Sequence, residues 1–324
     1  MKKILSIILL ITLIIIPQTG CNNEEPISKT DYCLDTVCQI DIYEGGDEAL
    51  IDEAFKLCRH YENLLSKTVK TSDISMINRG GKVKVDEDTV EVLKKGLYYS
   101  KLSGGSFDIT VGTITDLWDF HQEEPTVPKE SALIEAIKHI SYTNLTIDGN
   151  EVNLKDGKID LGAIAKGYIC DKVVEFLKSN GVTSCVVNLG GNIAVIGGKG
   201  KEPFKVGIER PYSDRSEIVG MVEARDMTLV TSGIYERCFQ KDGKTYHHIL
   251  DPKTGYPVNS DIESVTIISS LGKSVDCDGL STLCLTLGVK EATKLIESID
   301  GVEAVFIDRD DNITKTSGAN FEEQ

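Results

Sequence analysis

The chain has 324 residues, of which 40% are hydrophobic and 27% are charged, and its formal net charge at pH 7 is −16. This composition belongs to a globular protein with a sizeable core and excludes a disordered or collagen-like chain. So acidic a chain repels phosphate backbones, which excludes nucleic acid as a partner, and a phosphorylated ligand would need local lysines, backbone N–H groups or a cation.

The N-terminus carries the pattern of a secretory signal. Lys2 and Lys3 precede an almost unbroken run of Ile and Leu over 4–16, and Pro-Gln-Thr-Gly then leads to Cys21. A basic start, a short apolar run and small residues before a cleavage point are typical of a signal peptide. The apolar run is too short to span a bilayer comfortably. We therefore predict that residues 1–20 are a cleaved signal peptide.

Cys21 has the position of a lipidated cysteine. It directly follows Thr-Gly, which resembles a bacterial lipobox, although Gln18 stands where that motif usually has Leu. The alternative is a plain signal peptide followed by a chance cysteine. Residues 21–30 include further polar residues and predict a short tether. We expect a protein anchored by lipid to the extracytoplasmic face of the cell membrane.

The remaining cysteines show no pattern of pairing or zinc binding. Of the nine cysteines, those other than Cys21 have no CxxC or CxxxH spacing, and Cys170, Cys185 and Cys284 lie within apolar runs. An even number outside the cytoplasm would be compatible with disulfides. A core of the expected size needs no covalent staples, however, so we predict small buried hydrophobic side chains and no zinc site.

Hydrophobic periodicity and turn residues predict a mixture of helices and strands. In the first half of the chain the predicted elements are a strand over 32–43, helices over 47–66, 86–102 and 128–140, and a hairpin over 145–154. In the second half they are a helix over 163–178, strands over 183–188, 193–197, 204–209 and 228–231, a hairpin over 237–250, a strand over 264–269, helices over 275–287 and 290–297, and a strand over 304–307. Strands and helices do not alternate strictly, so the predicted class is α+β, with 31–324 as one domain.

The segment 160–171, which reads DLGAIAKGYICD, predicts a turn followed by a helix. Gly162 precedes that helix, so unpaired N–H groups and the positive end of its dipole face whatever is bound there. Lys166 lies about one turn further on and could reach a phosphate, or could be a solvated surface lysine. The segments GGSFDIT at 104–110 and NLGGN at 188–192 carry glycine pairs, which let backbone approach a ligand closely or form simple turns.

Two adjacent histidines, His247 and His248, come shortly before an Asp-Pro turn at Asp251. Because side chains alternate along a strand, only one of the two histidines can point inward. The inward one could act as an acid, a base or a phosphate-binding group near neutral pH. The alternatives are a core histidine satisfied by hydrogen bonds and, for Asp251, the start of a DPxTG turn.

Asp278 and Thr282 stand four residues apart in the segment SVDCDGLST, which places them on one face of a predicted helix. A carboxylate and a hydroxyl are hard oxygen donors suited to Mg²⁺, which usually keeps water and substrate phosphate as further ligands. For Asp276 and Asp278 alone, capping of the helix N-terminus is the simpler interpretation.

The order of these motifs is more informative than any one of them. Together, FDIT, DLGAIAKGYICD, NLGGN, VGIERP, TSG, HILDPKTGYP and DCDGLSTLCLTLG resemble the ApbE family of FAD:protein FMN transferases, from about Leu34 to Leu287. The resemblance implies an α+β, T-fold-like architecture, with mixed sheets and helices around a central FAD cleft.

The activity implied by the resemblance is Mg²⁺-dependent transfer of FMN from FAD to a Thr or Ser hydroxyl of an acceptor protein, through a phosphoester bond and with release of AMP. Acceptors in the family include subunits of membrane-bound, ion-pumping redox complexes. Two other hypotheses stay open: an FAD pyrophosphatase that yields FMN and AMP, and a flavin-binding lipoprotein without catalysis. An acidic protein needs a cation to hold a pyrophosphate, and Asp278 with Thr282 would hold that cation.

The resemblance also implies roles for individual residues. His248 aligns with the family histidine and is expected to act as general base or acid, with Asp251 near it. The Ala163 backbone carbonyl is expected to complete the metal site. Contacts with FAD are implied for Phe107, Asp108, Asp160, Lys166, Thr231, Ser232, Ile249 and Leu250. The chain departs from the family at 34–36, which reads Leu-Asp-Thr where members often have Met-Gly-Thr.

Overall fold

The structure is a computed structural model and describes residues 25–120, 122, 124–213 and 217–324. The predicted signal peptide and the predicted lipidation site, Cys21, lie outside the described residues. No helix among the described residues has the length and apolar character needed to cross a membrane.

The described chain forms strands and α-helices in a mixed order. The strands are β1 (Ile27–Cys33), β2 (Thr36–Glu44), β3 (Gly81–Lys84), β4 (Leu145–Asp148), β5 (Glu151–Leu154), β6 (Ser184–Leu189), β7 (Asn192–Ile196), β8 (Phe204–Glu209), β9 (Ile218–Ala224), β10 (Met227–Gly233), β11 (Cys238–Lys241), β12 (Lys244–His247), β13 (Ile262–Ser270), β14 (Val302–Asp308), β15 (Ile313–Lys315) and β16 (Phe321–Glu323). The helices are α1 (Glu48–Leu65), α2 (Asp73–Ile77), α3 (Glu87–Leu102), α4 (Gly112–Thr115), α5 (Glu130–Ile137), α6 (Ala165–Ser179), α7 (Ser274–Leu287) and α8 (Val289–Glu297).

An eight-stranded antiparallel sheet, in the order β1-β2-β6-β7-β10-β13-β14-β15, forms the centre of the fold. Helices α1, α6 and α7 cover one face, where Ile40 and Val187 of the sheet share a core with Ala54, Val173 and Leu280 of the helices. A three-stranded sheet, β16-β9-β8, packs on the opposite face. Since both faces are covered, β10 and β13 are largely buried, which explains the long apolar run in β13.

The antiparallel pairing confirms the predicted α+β class. The hairpins predicted over 145–154 and 237–250 are present as β4–β5 and β11–β12. The cysteines of the described residues are all free thiols. Every one except the partly exposed Cys238 is buried, which agrees with the predicted small buried side chains.

The single strand predicted over 32–43 is instead a hairpin. Strands β1 and β2 pair in antiparallel register, and Leu34 and Asp35 make the turn with φ values of 56° and 57°. Both values lie in the left-handed region that two-residue type I′ turns require. No glycine marks this turn, so the sequence pattern looked continuous. Residues 27–30, predicted as part of the tether, belong to β1 because their backbone pairs with β2.

Candidate active site

A cleft with a volume of about 820 Å³ is lined by residues from distant parts of the chain. All predicted catalytic, flavin and metal residues line this cleft, except Thr231 and Asp251. The residues brought together are Phe107, Asp108, Asp160, Ala163, Lys166, Ser232, His248, Ile249, Leu250, Asp278 and Thr282.

Helices α6 and α7 hold the predicted metal ligands in place. The Gly167 N–H donates to Asp278 Oδ2 at 2.8 Å. A Cβ at Gly167 would lie 2.3 Å from the Ser274 carbonyl oxygen, so only glycine allows the two helices to approach this closely. The Asp171 carboxylate accepts the N–H groups of Ser274 and Val275 at 2.9 and 3.0 Å, and so caps α7 from α6. This junction places the start of α6 against the first turns of α7.

Asp278 is a buried acid at the junction of α6 and α7, with 3% of its surface exposed. Burial raises the pKa of its carboxyl to about 6 in spite of the nearby Lys166, and Glu236 raises this pKa further. The amide of Asn192 faces Asp278 but makes no well-formed hydrogen bond through either polar atom. A cation would favour the ionised acid and would give an amide oxygen a partner.

The oxygen donors at the junction of α6 and α7 fit Mg²⁺ better than they fit a metal that requires several acidic or soft side chains. Within the described part of the chain, no group of three or more His, Cys, Asp or Glu side chains is arranged to hold a metal. The cleft instead offers the Asp278 carboxylate, the Thr282 hydroxyl and the backbone at Ala163. Mg²⁺ is commonly held by one or two carboxylates together with water and substrate phosphates.

Lys166 lies in the first turn of α6 and is bound to the NLGGN turn. Its Nζ donates to the Gly190 carbonyl oxygen at 3.1 Å. Gly190 and Gly191 have φ values of 61° and 90°, so this turn needs glycine. The charge of Lys166 acts to lower the pKa values of both Asp278 and His248. It is therefore placed to meet an anionic group bound between those two side chains.

His248 lines the cleft, and His247 does not. His248 Nδ1 lies 3.3 Å from the Arg237 carbonyl oxygen, which can only accept, so Nδ1 carries the proton and Nε2 keeps its lone pair. Burial, together with the positive charge of Arg237, lowers the pKa of His248 to about 3, so the ring is neutral at pH 7. A neutral imidazole in a cleft can accept the proton of a bound hydroxyl.

His247 is the core histidine. The alternation of side chains along a strand predicted that only one of His247 and His248 could point into the site. His247 is 3% exposed, and its Nε2 lies 3.2 Å from the Val258 carbonyl oxygen. Burial lowers the pKa of His247 to about 4. It is therefore neutral and packed against the protein on the side away from the cleft.

Two predicted site residues, Asp251 and Thr231, do not line the cleft and make hydrogen bonds within the fold. The Asp251 carboxylate accepts from the Lys253 N–H at 2.9 Å and from the Thr254 hydroxyl at 3.1 Å, so it forms the DPxTG turn. Thr231 lies in β10, where its hydroxyl is 2.8 Å from that of Thr266 on β13. Asp251 thus forms the DPxTG turn and Thr231 pairs across the sheet, while the roles predicted for them in catalysis and in flavin binding stay predictions.

Asp108 and Asp160 line the cleft with carboxylates that are already hydrogen-bonded. Asp108 accepts from the Thr110 hydroxyl and N–H and from the Tyr142 N–H at 2.7–2.8 Å, and burial raises its pKa. Burial also acts to raise the pKa of Asp160, but Lys67, 3.0 Å away, and the Thr115 hydroxyl outweigh it, so this pKa is lowered. Both acids hold the loops of the cleft in shape.

The sequence patterns missed several residues that line the cleft. Lys67 follows α1 and lies in none of the motifs identified in the sequence, yet it is half-buried and pairs with Asp160. Arg237, which precedes β11 and whose carbonyl oxygen accepts the backbone N–H of His248, forms an ion pair with Asp35 at 2.9 Å and so joins the β1–β2 turn to His248. Such pairs are not visible in sequence because their partners are distant along the chain.

An aromatic wall was also missed. Trp118 and Phe120 line the cleft and stack with ring centroids 5.7 Å apart. The Trp118 indole donates to the Gly255 carbonyl oxygen at 2.8 Å, which attaches this wall to the DPxTG turn. The only signal was two aromatic residues in the short segment LWDF, after the FDIT motif.

Comparison with known proteins places these features in a known family. The model of the ApbE family matches residues 34–306. The FAD:protein FMN transferase of Treponema pallidum (strain Nichols) is 32% identical over 316 residues, which cover 90% of this chain and 87% of the relative. The enzyme of the same name from Klebsiella pneumoniae (strain 342) is 31% identical over 278 residues, which cover 84% of this chain and 86% of the relative.

Solved structures agree with this assignment. The ApbE protein of Thermotoga maritima superposes with a TM-score of 0.82 at 30% identity, covering 90% of this chain and 97% of that one. The flavin transferase ApbE from Vibrio cholerae superposes with a TM-score of 0.80 at 27% identity, again covering 90% of this chain and 97% of that one. The arrangement of sheets and helices is thus shared over nearly the whole described chain.

Proposed function

This chain belongs to the ApbE family and is an enzyme, and we propose that it transfers the FMN half of FAD to a Thr or Ser hydroxyl of an acceptor protein. The bond formed is a phosphoester, AMP is released, and the reaction depends on Mg²⁺. FAD is the substrate that fills the cleft.

The observation that carries this proposal is the meeting of three kinds of group in one cleft. A neutral imidazole, His248, a cation, Lys166, and the oxygen donors of Asp278 and Thr282 all line a cavity of about 820 Å³. Phosphoryl transfer depends mainly on positioning and on charge neutralisation. His248 supplies a base, Lys166 supplies a positive charge, and Asp278 with Thr282 supplies oxygen donors for a cation. These are the elements that such a reaction needs.

The proposed transfer is a displacement at the phosphorus of the FMN half of FAD. His248 Nε2 takes the proton of the acceptor hydroxyl, whose oxygen attacks the phosphorus of the FMN half. The bond from that phosphorus to the bridging oxygen breaks, and this oxygen leaves with AMP. The proton on His248 is then released to AMP or to solvent. Lys166 holds the phosphate oxygens during the exchange.

Mg²⁺, when bound, neutralises charge on the pyrophosphate and stabilises the charge that develops during transfer. Asp278, Thr282 and the Ala163 carbonyl would hold it. Two observations support this assignment of the ligands: the raised pKa of the buried Asp278, and the Asn192 amide beside it, which makes no well-formed hydrogen bond within the described chain.

The acceptor and the cellular location belong to the same proposal. The acceptor would be a protein at the same membrane, such as a subunit of a redox complex that pumps ions. The enzyme would be held at the extracytoplasmic face of the cell membrane through lipid on Cys21. The support for this location is the signal-like pattern over 1–20.

The proposal is tested by incubating the pure protein with FAD, Mg²⁺ and a Thr-containing peptide, followed by mass spectrometry. We expect the peptide to gain one FMN phosphoester while AMP appears in equal amount. Free FMN and AMP without a peptide adduct would contradict transfer and support hydrolysis. Tight flavin binding without either product would support a carrier instead.

A further inference from the structure

A second cavity, of about 250 Å³, shares a wall with the cleft. Lys67 and Thr68 line both cavities, so the segment between α1 and α2 separates them. We call the second cavity the basic pocket. Its lining consists of Lys67, Thr68, Lys70, Ser75, Asn78, Arg79, Asp116 and Lys158.

Two of the four cations of the basic pocket are neutralised within the protein. Lys67 Nζ lies 3.0 Å from both Asp116 and Asp160, and Lys158 Nζ lies 2.6 Å from Asp116. These contacts hold the floor of the pocket and leave little charge for a ligand.

Lys70 and Arg79 supply the remaining positive charge. Among the described residues, no ion pair joins either side chain to an acid, and both are exposed. The Arg79 guanidinium donates to the Lys70 carbonyl oxygen, which holds these two residues side by side. The pocket thus presents two adjacent cations to solvent.

The backbone behind these cations is firmly held. The Asn78 side chain exchanges two hydrogen bonds with the Ile159 backbone, at 2.9 and 2.6 Å. The Ser75 hydroxyl donates to the Lys67 carbonyl oxygen at 2.9 Å. A pre-formed pocket loses little conformational entropy when it binds a ligand.

Resting on the proposed function, we propose that the basic pocket docks an acidic segment of the acceptor protein. The chain carries a net charge of −16, so its general field opposes an acidic partner, and this positive spot would attract one locally. The pocket adjoins the cleft through Lys67 and Thr68, so a segment bound there would lie beside the flavin. Its carboxylates would meet Lys70 and Arg79.

The test uses two peptides of equal length with one Thr each, flanked by Glu in one and by Lys in the other. Transfer of FMN to each is measured by mass spectrometry at low ionic strength, where surface charges act most strongly. For wild type we expect kcat/KM to favour the Glu peptide by about fivefold, as expected for two exposed ion pairs. In the variant Lys70→Glu/Arg79→Glu the preference should reverse.

The matched control is Lys205→Glu, which changes an exposed lysine on β8, away from both cavities. FAD binding measured by calorimetry should be equal in all three proteins, since neither Lys70 nor Arg79 lines the cleft. Equal rates on the two peptides with wild type, or the same shift in the control as in the double variant, would overturn the docking role. If wild type binds FAD but modifies neither peptide, the proposed function itself fails, and the docking role fails with it.

Discussion

At the scale of single residues, burial shifts the pKa values of two titratable groups that line the cleft in opposite directions. It lowers the pKa of His248 to about 3 and raises that of Asp278 to about 6. Removal from water disfavours the charged form in both cases. Burial thus keeps the histidine neutral at pH 7, with a free lone pair but reduced basicity, and it makes the ionisation of the acid sensitive to a nearby cation.

Replacing His248 with Ala should lower kcat by about 10²- to 10⁴-fold, because a positioned base contributes about that much to proton transfer. FAD binding should be retained, and steady-state kinetics with calorimetry would measure both. The control is His247→Gln, which changes the neighbouring histidine that does not line the cleft. Turnover of His248→Ala at the wild-type rate would exclude His248 as the base.

The effect of Mg²⁺ on stability should depend on the ionisation of Asp278. Because its pKa in the folded protein is raised to about 6, the metal-free fold keeps a proton that the unfolded chain releases near pH 4. The metal-free contribution of Asp278 therefore becomes less favourable as pH rises from about 4 to about 6. His247 and His248, whose pKa values are lowered, act in the opposite sense over this range.

The measurement that isolates Asp278 is the rise in Tm caused by Mg²⁺ and FAD, followed across pH. We expect this rise to be full above about pH 6 and to fade below it, since protons then compete with the cation. Asp278→Asn should show little rise at any pH. A rise that is constant from pH 4 to pH 7 in the wild type would contradict this role of Asp278.

Residue types in motifs predicted which side chains line the cleft better than they predicted the contacts of each one. His248, Lys166, Asp278 and Thr282 stand in motifs whose spacing is set by local structure, and they do line the cleft. Asp251 stands in such a motif too, but its carboxylate is used by the turn that the motif builds. Nothing local distinguishes these two outcomes.

At the scale of elements, the junction of α6 and α7 determines the positions of the oxygen donors Asp278 and Thr282. Asp171→Asn should lower the free energy of unfolding by about 1 kcal/mol, as the loss of a helix cap does. It should also raise the Mg²⁺ concentration needed for half-maximal FAD binding, since α7 carries Asp278 and Thr282. Chemical denaturation and calorimetry would measure the two effects.

The control for this junction is Asp276→Asn. Asp276 lies in the first turn of α7, next to the backbone N–H groups that Asp171 caps. Its carboxylate instead binds Lys95 at 2.8 Å and Tyr99 at 2.7 Å, both on α3. This variant should lose stability without a change in Mg²⁺ dependence. An equal change in Mg²⁺ dependence in both variants would show that Asp171 does not position the ligands.

Elements with strong local patterns were predictable, and elements whose form depends on a partner were not. The helix predicted over 163–178 is α6 (Ala165–Ser179), because its apolar positions recur at helical spacing. The β1–β2 turn was missed because Leu34 and Asp35 adopt left-handed φ values that glycine usually signals. The short α2 and β9 were not predicted at all.

At the scale of the whole molecule, the order of strands in the central sheet could not be read from the sequence. Strand β2 pairs with β6 across more than one hundred residues, and β7 pairs with β10. These pairings are set by burial of both sheet faces, which no local pattern encodes. They nonetheless create the cleft, because they bring the β1–β2 turn and α7 to the same cavity.

The proposed transfer depends on a cation that lets so acidic a protein bind a dinucleotide. The most direct test is calorimetry of FAD binding with Mg²⁺, with a chelator, and with the variant Asp278→Ala/Thr282→Ala. We predict that binding with Mg²⁺ is strong in the wild type and is largely lost both with the chelator and in the variant. Unchanged affinity for FAD under all three conditions would contradict a cation-dependent FAD site at Asp278 and Thr282.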